Sequence, residues 1–187
     1  NITKDRVWTR AHEGLGRTFQ ITRLFKSMTV LDNLVAPLEQ TSAKQMVAGR
    51  YSGEEVDRAR EILDFMGLAQ FEKQNAAALS FGQQKLVELA QVLMLRPSII
   101  LLDEPASGIN PTLIEKLANV IRRLNEAGTT VLIVEHNIPL VLSLCSKVHV
   151  LAAGQVLTSG TPEEIRNDPL VIEAYLGPDH LLEAPSV

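Results

Sequence analysis

Leu79-Ser80-Phe81-Gly82-Gln83-Gln84-Lys85 and, one apolar helical run later, Ile99-Ile100-Leu101-Leu102-Asp103-Glu104-Pro105 bound the stretch on which the reading of this chain turns. Between them Leu86, Val87, Leu89, Ala90, Leu93 and Met94 recur at helical spacing,. A helix beginning at Ser80 presents unpaired backbone N–H groups, the Ser80 hydroxyl and the positive end of its dipole to any anion that approaches its N-terminus. The run from Ile99 to Leu102 reads as a buried parallel strand that ends in two carboxylates. Acids at the carboxyl end of such a strand lie on the rim of the sheet, where open α/β folds bind ligands. Each signal also has an ordinary reading, a helix cap for the first and the start of a solvated loop for the second.

Downstream, Asn110 is placed to cap a helix whose first position is Pro111 and whose apolar face is Leu113, Ile114, Leu117, Ile121 and Leu124. Thr129 to Glu135 is β-branched and apolar, a second buried parallel strand, and His136 stands just past its end. A lone histidine is ordinarily a surface or core residue, but that position favours a ligand contact. A helix from about Pro139 to Cys145 follows, then a hairpin of Val148–Ala152 and Gln155–Thr158 around Ala153-Gly154. Another helix starts at Thr161-Pro162-Glu163-Glu164, and residues 178–187 read as a loose tail.

Upstream, Val7, Trp8 and Ala11 are spaced as on a helix, and Gly16 to Gln20 reads as a short strand with Gln20 at its exit. Thr29 with Asp32 caps a helix that Pro37 should end. The stretch from Thr41 to Gly53 reads as a loop or a frayed helix. Ser52 and Glu55 form a capping box before Val56, Ala59, Ile62, Leu63 and Met66, with Gly67 as C-terminal cap. Helices therefore fill the block from about Thr29 to Arg96. Its apolar positions are core, with Leu24, Phe25, Met28 and Val30 either core or an exposed patch that a partner covers.

The 187 residues suffice for one domain, or for a domain with a small subdomain,. At 45% hydrophobic and 21% charged the composition is that of an ordinary globular protein,. A formal charge of -4 offers no basic surplus for nucleic acid,. Cys145, the single cysteine, sits in an apolar pattern and supports no disulfide framework or thiolate metal site,. No stretch reaches the ~18 to 20 apolar residues that span a bilayer, so a membrane connection is expected to run through a partner. His12, His149 and His180 match no motif.

The pairing of LSFGQQK with IILLDEP resembles the signature motif and Walker B of the ATP-binding cassette (ABC) family, and the resemblance covers nearly all of the chain. It implies an α/β fold: a P-loop NTPase-like parallel sheet core (14–28 and 97–177) with an all-helical subdomain (29–96). It also implies ATP with magnesium as cofactors and ATP hydrolysis as the chemistry, a reaction catalysed chiefly by positioning and charge stabilisation. By resemblance Gln20 is the Q-loop glutamine, which reaches magnesium and the attacking water. Asp103 would hold magnesium, and Glu104 would orient or deprotonate the water. His136 resembles the switch histidine at the terminal phosphate. Ser80, Gly82 and Gln83 would close over nucleotide held by a second cassette subunit, identical or different. Asn110 lies in the segment that crosses that dimer interface, where the commoner residue is aspartate.

The strings RTFQITRLFKSMTVLDNL, DEPASGINP, VEHN and IEAYLG look like the ATP-binding subunits of branched-chain amino-acid importers. The partners this implies are a second cassette, transmembrane permease subunits and, indirectly, an external binding protein, at the cytoplasmic face of the membrane and with no nucleic acid. Rival readings are a soluble cassette ATPase acting on nucleic acid or ribosomes, which usually shows a long coiled-coil insertion or a second cassette, and a non-catalytic interaction module. None of the 11 glycines precedes a lysine, so the G-x-x-x-x-G-K-[ST] loop that cradles nucleotide phosphates is absent,. The chain thus resembles a cassette from shortly before the Q-loop to its end, with the first strands and the Walker A loop missing. It is expected to bind ATP weakly or not at all by itself.

Overall fold

Most of the described helices begin where a side-chain oxygen can take an otherwise unpaired N–H. The computed structural model describes residues 2–19, 22–38 and 51–176, which fall in two compact units divided between Glu135 and His136. Gln20, most of the expected loop from Thr41 onward, Gly177 and the expected tail lie outside the described residues.

The first unit holds α1 (Val7–His12), β1 (Leu15–Arg17), α2 (Val30–Val35), α3 (Gly53–Phe65), α4 (Phe81–Met94), β2 (Ile99–Asp103), α5 (Pro111–Glu126) and β3 (Thr130–Val134). Thr29, Ser52 and Ser80 each complete a capping box with Asp32, Glu55 and Gln83, and Asn110 caps α5 ahead of Pro111,. Gly67 follows α3 with φ +66°, the left-handed residue expected there,.

The strands form one parallel sheet in the order β1-β2-β3, with Gly16 opposite Ile100 and Leu101 opposite Leu132. β1 is shorter than the sequence suggests. Thr18 still donates its N–H to the Leu101 carbonyl (3.0 Å), while the Phe19 N–H, which points away from β2, donates to the Glu88 carboxylate (3.3 Å),.

Among the described residues the strands expected to be buried are buried on one face. Ile100 and Leu102 are buried, whereas Ile99 is 41% exposed, and across the sheet Leu132 and Val134 are 57% and 60% exposed. Residues alternate faces along a strand; α4 packs on β1 and α5 on β3, covering the face of Gly16, Ile100 and Leu102. The side chains of Arg17, Ile99, Leu132 and Val134 belong to the other face.

Helix α4 is the centre of this unit. Of its residues only Phe81 is exposed, and Leu86, Val87, Leu89, Ala90, Leu93 and Met94 are buried in full or nearly so. An element apolar all round must be covered on all sides. Helices α2 and α3 pack on it together with α5 and β1. The segment before α2 is sorted residue by residue: Val30 is buried, Leu24 and Met28 are half-buried, and Phe25 is 52% exposed.

The second unit contains α6 (Ile138–Leu144), the antiparallel pair β4 (Val148–Ala152) and β5 (Gln155–Gly160), α7 (Pro162–Asn167), and a last helical stretch from Pro169 to Leu176. Val148, Ile165 and Val171 form its core, against which Val141, Leu142, Cys145 and Val150 pack. Burial pushes the Cys145 thiol up from its ordinary value, consistent with a packing role,.

Asn33, fully buried on the inner face of α2, accepts from the Phe25 N–H (2.8 Å) and donates to the carbonyls of Phe25 (3.0 Å) and Thr29 (2.9 Å). Asn33→Ala strands those groups in the interior, and a stability loss of about 2–4 kcal/mol is expected in urea unfolding. A loss near zero would mean that the 25–29 segment is not pinned by this side chain.

Candidate functional site

The acid pair stands where β2 stops. Asp103 lies on the uncovered face and meets the Arg17 guanidinium at 3.3 Å, in a pair too exposed to add much stability,. Glu104 has φ +46°, a left-handed conformation that side chains other than glycine rarely adopt,. Its N–H donates to the Val134 carbonyl at 2.8 Å. Its own carbonyl accepts two hydrogen bonds, from the Ser107 N–H at 3.1 Å and from the Lys85 ammonium at 2.9 Å. The first closes a tight turn with Pro105 at its second position, which suits proline's fixed φ. The Ala106 N–H donates to the Glu135 carboxylate at 2.6 Å. The turn after the acids is therefore fixed from both β3 and α4.

At the start of α4, the Ser80 hydroxyl accepts from the Gln83 N–H (3.4 Å), and the Gln83 side-chain oxygen accepts from the Ser80 N–H (2.9 Å). Gly82 is buried because nothing larger fits: a Cβ there would come within 2.6 Å of Leu113 and 3.0 Å of Ile109. Phe81 reaches over Gly108, whose φ of +73° and missing side chain leave room for the ring. The Asn110 side-chain oxygen accepts from the Leu113 N–H at 2.9 Å. Phe81 and Gly82, between Ser80 and Gln83, are thus seated against Gly108 and Ile109 in the loop that runs from Glu104 to Asn110. His136 is exposed and begins the second unit. Among the described residues no three His, Cys, Asp or Glu side chains converge as a metal cluster.

Two functional candidates that sequence reasoning passed over lie one turn apart on α4. Lys85 and Glu88 are only 9% and 5% exposed. Glu88 accepts the Phe19 N–H, immediately before Gln20. Burial lowers the Lys85 pKa, against the opposing pull of Glu135, Glu88 and Glu104,. Burial likewise raises the Glu88 pKa, against the Phe19 hydrogen bond and the Lys85 and Arg23 charges,. Beside them is a cavity of about 20 Å³, with Thr18, Leu89, Leu102 and Ile109 also in its wall, room for a single water,. The buried Thr18 hydroxyl has no hydrogen-bond partner among the described residues. The signal in the sequence was the pair of charges at i and i+3 inside an otherwise apolar helical run.

Because the Glu88 pKa is raised on folding, the folded state holds its proton more tightly than the unfolded chain does. The stability this group confers is fully present below its ordinary value of about 4.3 and is lost as pH rises through the folded-state value. Glu88→Gln keeps an acceptor for the Phe19 N–H but cannot ionise. Urea unfolding between about pH 4 and about pH 7 is expected to show a downward component in the native chain that the variant lacks. Superimposable pH profiles would show that Glu88 is not held in this way.

The sequence profile of the family described as "ABC transporter" matches residues 1–107, and that described as "Branched-chain amino acid ATP-binding cassette transporter" matches residues 155–180. The high-affinity branched-chain amino acid transport ATP-binding protein LivG of Salmonella typhimurium is 39% identical over 89% of this chain and 69% of its own length. BraF of Pseudomonas aeruginosa, described in the same terms, shows 39% identity over the same shares. Among solved structures, the ADP conformation of an ATP-binding cassette of an ABC transporter superposes with a TM-score of 0.75 at 34% identity, covering 90% of this chain and 70% of that one. A nucleotide-free cassette gives 0.76 at 35% identity, covering 90% and 71%. The parallel sheet ending in Asp103-Glu104, the capped turn at Ser80 and these likenesses agree, and the chain belongs to the ABC transporter family as an ATP-binding cassette.

Proposed function

We propose that this chain is the ATP-hydrolysing subunit of an importer for branched-chain or related amino acids. The observation that carries the reading is the seating of the Ser80 turn on the loop that follows Asp103-Glu104, because it unites on one rigid helix-and-turn unit the two features that phosphoryl transfer needs. The names of LivG and BraF supply the substrate class. Its partners would be a second cassette, identical or different, and transmembrane permease subunits, with an external binding protein acting through the permease. Among the described residues no helix is long and apolar enough to cross a membrane. A place at the cytoplasmic face of the membrane would therefore rest on the permease.

Within that reading Glu104 orients or deprotonates the attacking water, while Gln20 and His136 respond to the terminal phosphate. Ser80, Gly82, Gln83 and Asn110 face nucleotide held by the partner cassette. Asp103, with Gln20, would hold magnesium. A single carboxylate, with phosphate and water completing the shell, is an ordinary donor set for that ion, provided that Arg17 gives up its exposed 3.3 Å contact. Magnesium bound there would neutralise charge on the phosphate oxygens.

Within the same reading this chain lends its Ser80 turn to nucleotide held by a partner cassette. Mixed with a complete cassette of such an importer, it should raise ATP hydrolysis, and Ser80→Ala should reduce that increment about tenfold or more through loss of a phosphate-facing donor. A mixture whose rate does not change would favour an interaction module without a catalytic part.

A further inference from the structure

The Lys85 side chain takes an expensive route. A charged ammonium is brought to 9% exposure between Phe81, whose ring centroid lies 5.3 Å away, and three acids that pull on it, Glu135, Glu88 and Glu104. It ends on the Glu104 carbonyl at 2.9 Å rather than on a carboxylate. Contact with an aromatic face or general charge balance would not single out that oxygen. The oxygen belongs to the one residue of the acid pair in the left-handed region, and it already accepts the Ser107 N–H.

A backbone conformation of that kind persists only where its surroundings over-determine it. One helical turn on, Glu88 makes the matching contact with the Phe19 N–H. The two buried charges of α4 therefore each grip main chain, one at the end of β2 and one where β1 leads toward Gln20. Lys85 is also fixed at its own root, since Gly82 is wedged against Leu113 and Ile109.

We infer that Lys85 is a positioning residue, which holds the Glu104 turn in its left-handed conformation and so sets the acid pair from the same helix that carries the Ser80 turn. The inference deepens the proposed function and rests on it for its consequence in catalysis. Its geometry can be tested separately.

Lys85→Met keeps side-chain length and removes the donor; Lys85→Arg restores one. Hydrogen exchange, followed residue by residue by NMR, is expected to speed up about tenfold at Ala106 and Ser107 in Lys85→Met, with α3 and β2 unchanged, and to recover in Lys85→Arg. Exchange that rises evenly through the unit, or not at all at the turn, would overturn the inference. Should the methionine variant not fold, the native chain decides: a scalar coupling between the Lys85 Nζ and the Glu104 carbonyl carbon supports the grip, and an ammonium in fast exchange without that coupling refutes it. In mixtures with a complete cassette, Lys85→Met should lower kcat several-fold at unchanged KM for ATP, whereas a raised KM with constant kcat would count against positioning. If the native chain leaves the mixture's rate unaltered, the functional reading fails while the exchange experiment still decides the geometry.

Discussion

Helix α4 has almost no surface to give to water, and that constraint organises the first unit. A helix buried on nearly all sides must be clothed by separate elements, and here α2 and α3 pack on it along with α5 and β1,. Its polar groups must then be satisfied inside the protein. Gln91 donates to the Asn33 carbonyl at 2.8 Å, Glu88 takes the Phe19 N–H, and Lys85 reaches the Glu104 carbonyl. The helix that hydrophobic burial places at the centre thus becomes the common anchor for three backbone segments. Burying such groups unpaired costs far more than the bonds return, so each contact is obligatory once the helix is in place.

The scale of these terms explains how an awkward turn survives. A side-chain-bearing residue in the left-handed region costs about 1–3 kcal/mol. A hydrogen bond from a charged donor contributes about 1.5–3 kcal/mol, and a neutral backbone bond about 0.5–1.5 kcal/mol. Glu104 has one of the first kind on its carbonyl and backbone bonds on both its carbonyl and its N–H. Together they exceed the cost of the strained conformation. By contrast the exposed Arg17–Asp103 contact is worth little,, so Asp103 is held mainly by the strand it ends and its side chain stays available to change partners.

What the sequence made legible was local. Ser80, Ser52, Thr29 and Asn110 cap the helices they were expected to cap, because a cap needs only a few consecutive residues,. The parallel pairing of the strands ending at Asp103 and Val134 followed from two short β-branched and apolar runs with a helix between them,. What stayed hidden depends on contacts distant in the chain. Nothing near Phe19 announces that its N–H is taken by Glu88, 69 positions away. Apolar composition suggested buried strands, yet among the described residues Leu132 and Val134 lie largely exposed. Lys85 was part of a quoted motif with no role assigned to it, and it is buried.

Sheet geometry gives the left-handed residue a reason. Along β2 the buried residues are Ile100 and Leu102, while Asp103 turns to the uncovered face. One more extended residue would send the Glu104 side chain to the helix-covered face behind Leu102, where an ionised carboxylate without full pairing costs several kcal/mol. A positive φ ends the alternation at that point. Glu104 remains half-buried and its carbonyl comes within reach of Lys85. Two adjacent acids in a continuous strand would be split between opposite faces, one of them in the core. The strained turn is what keeps the second acid out of that core at the rim of the sheet, and the buried lysine is the group best placed to hold it there.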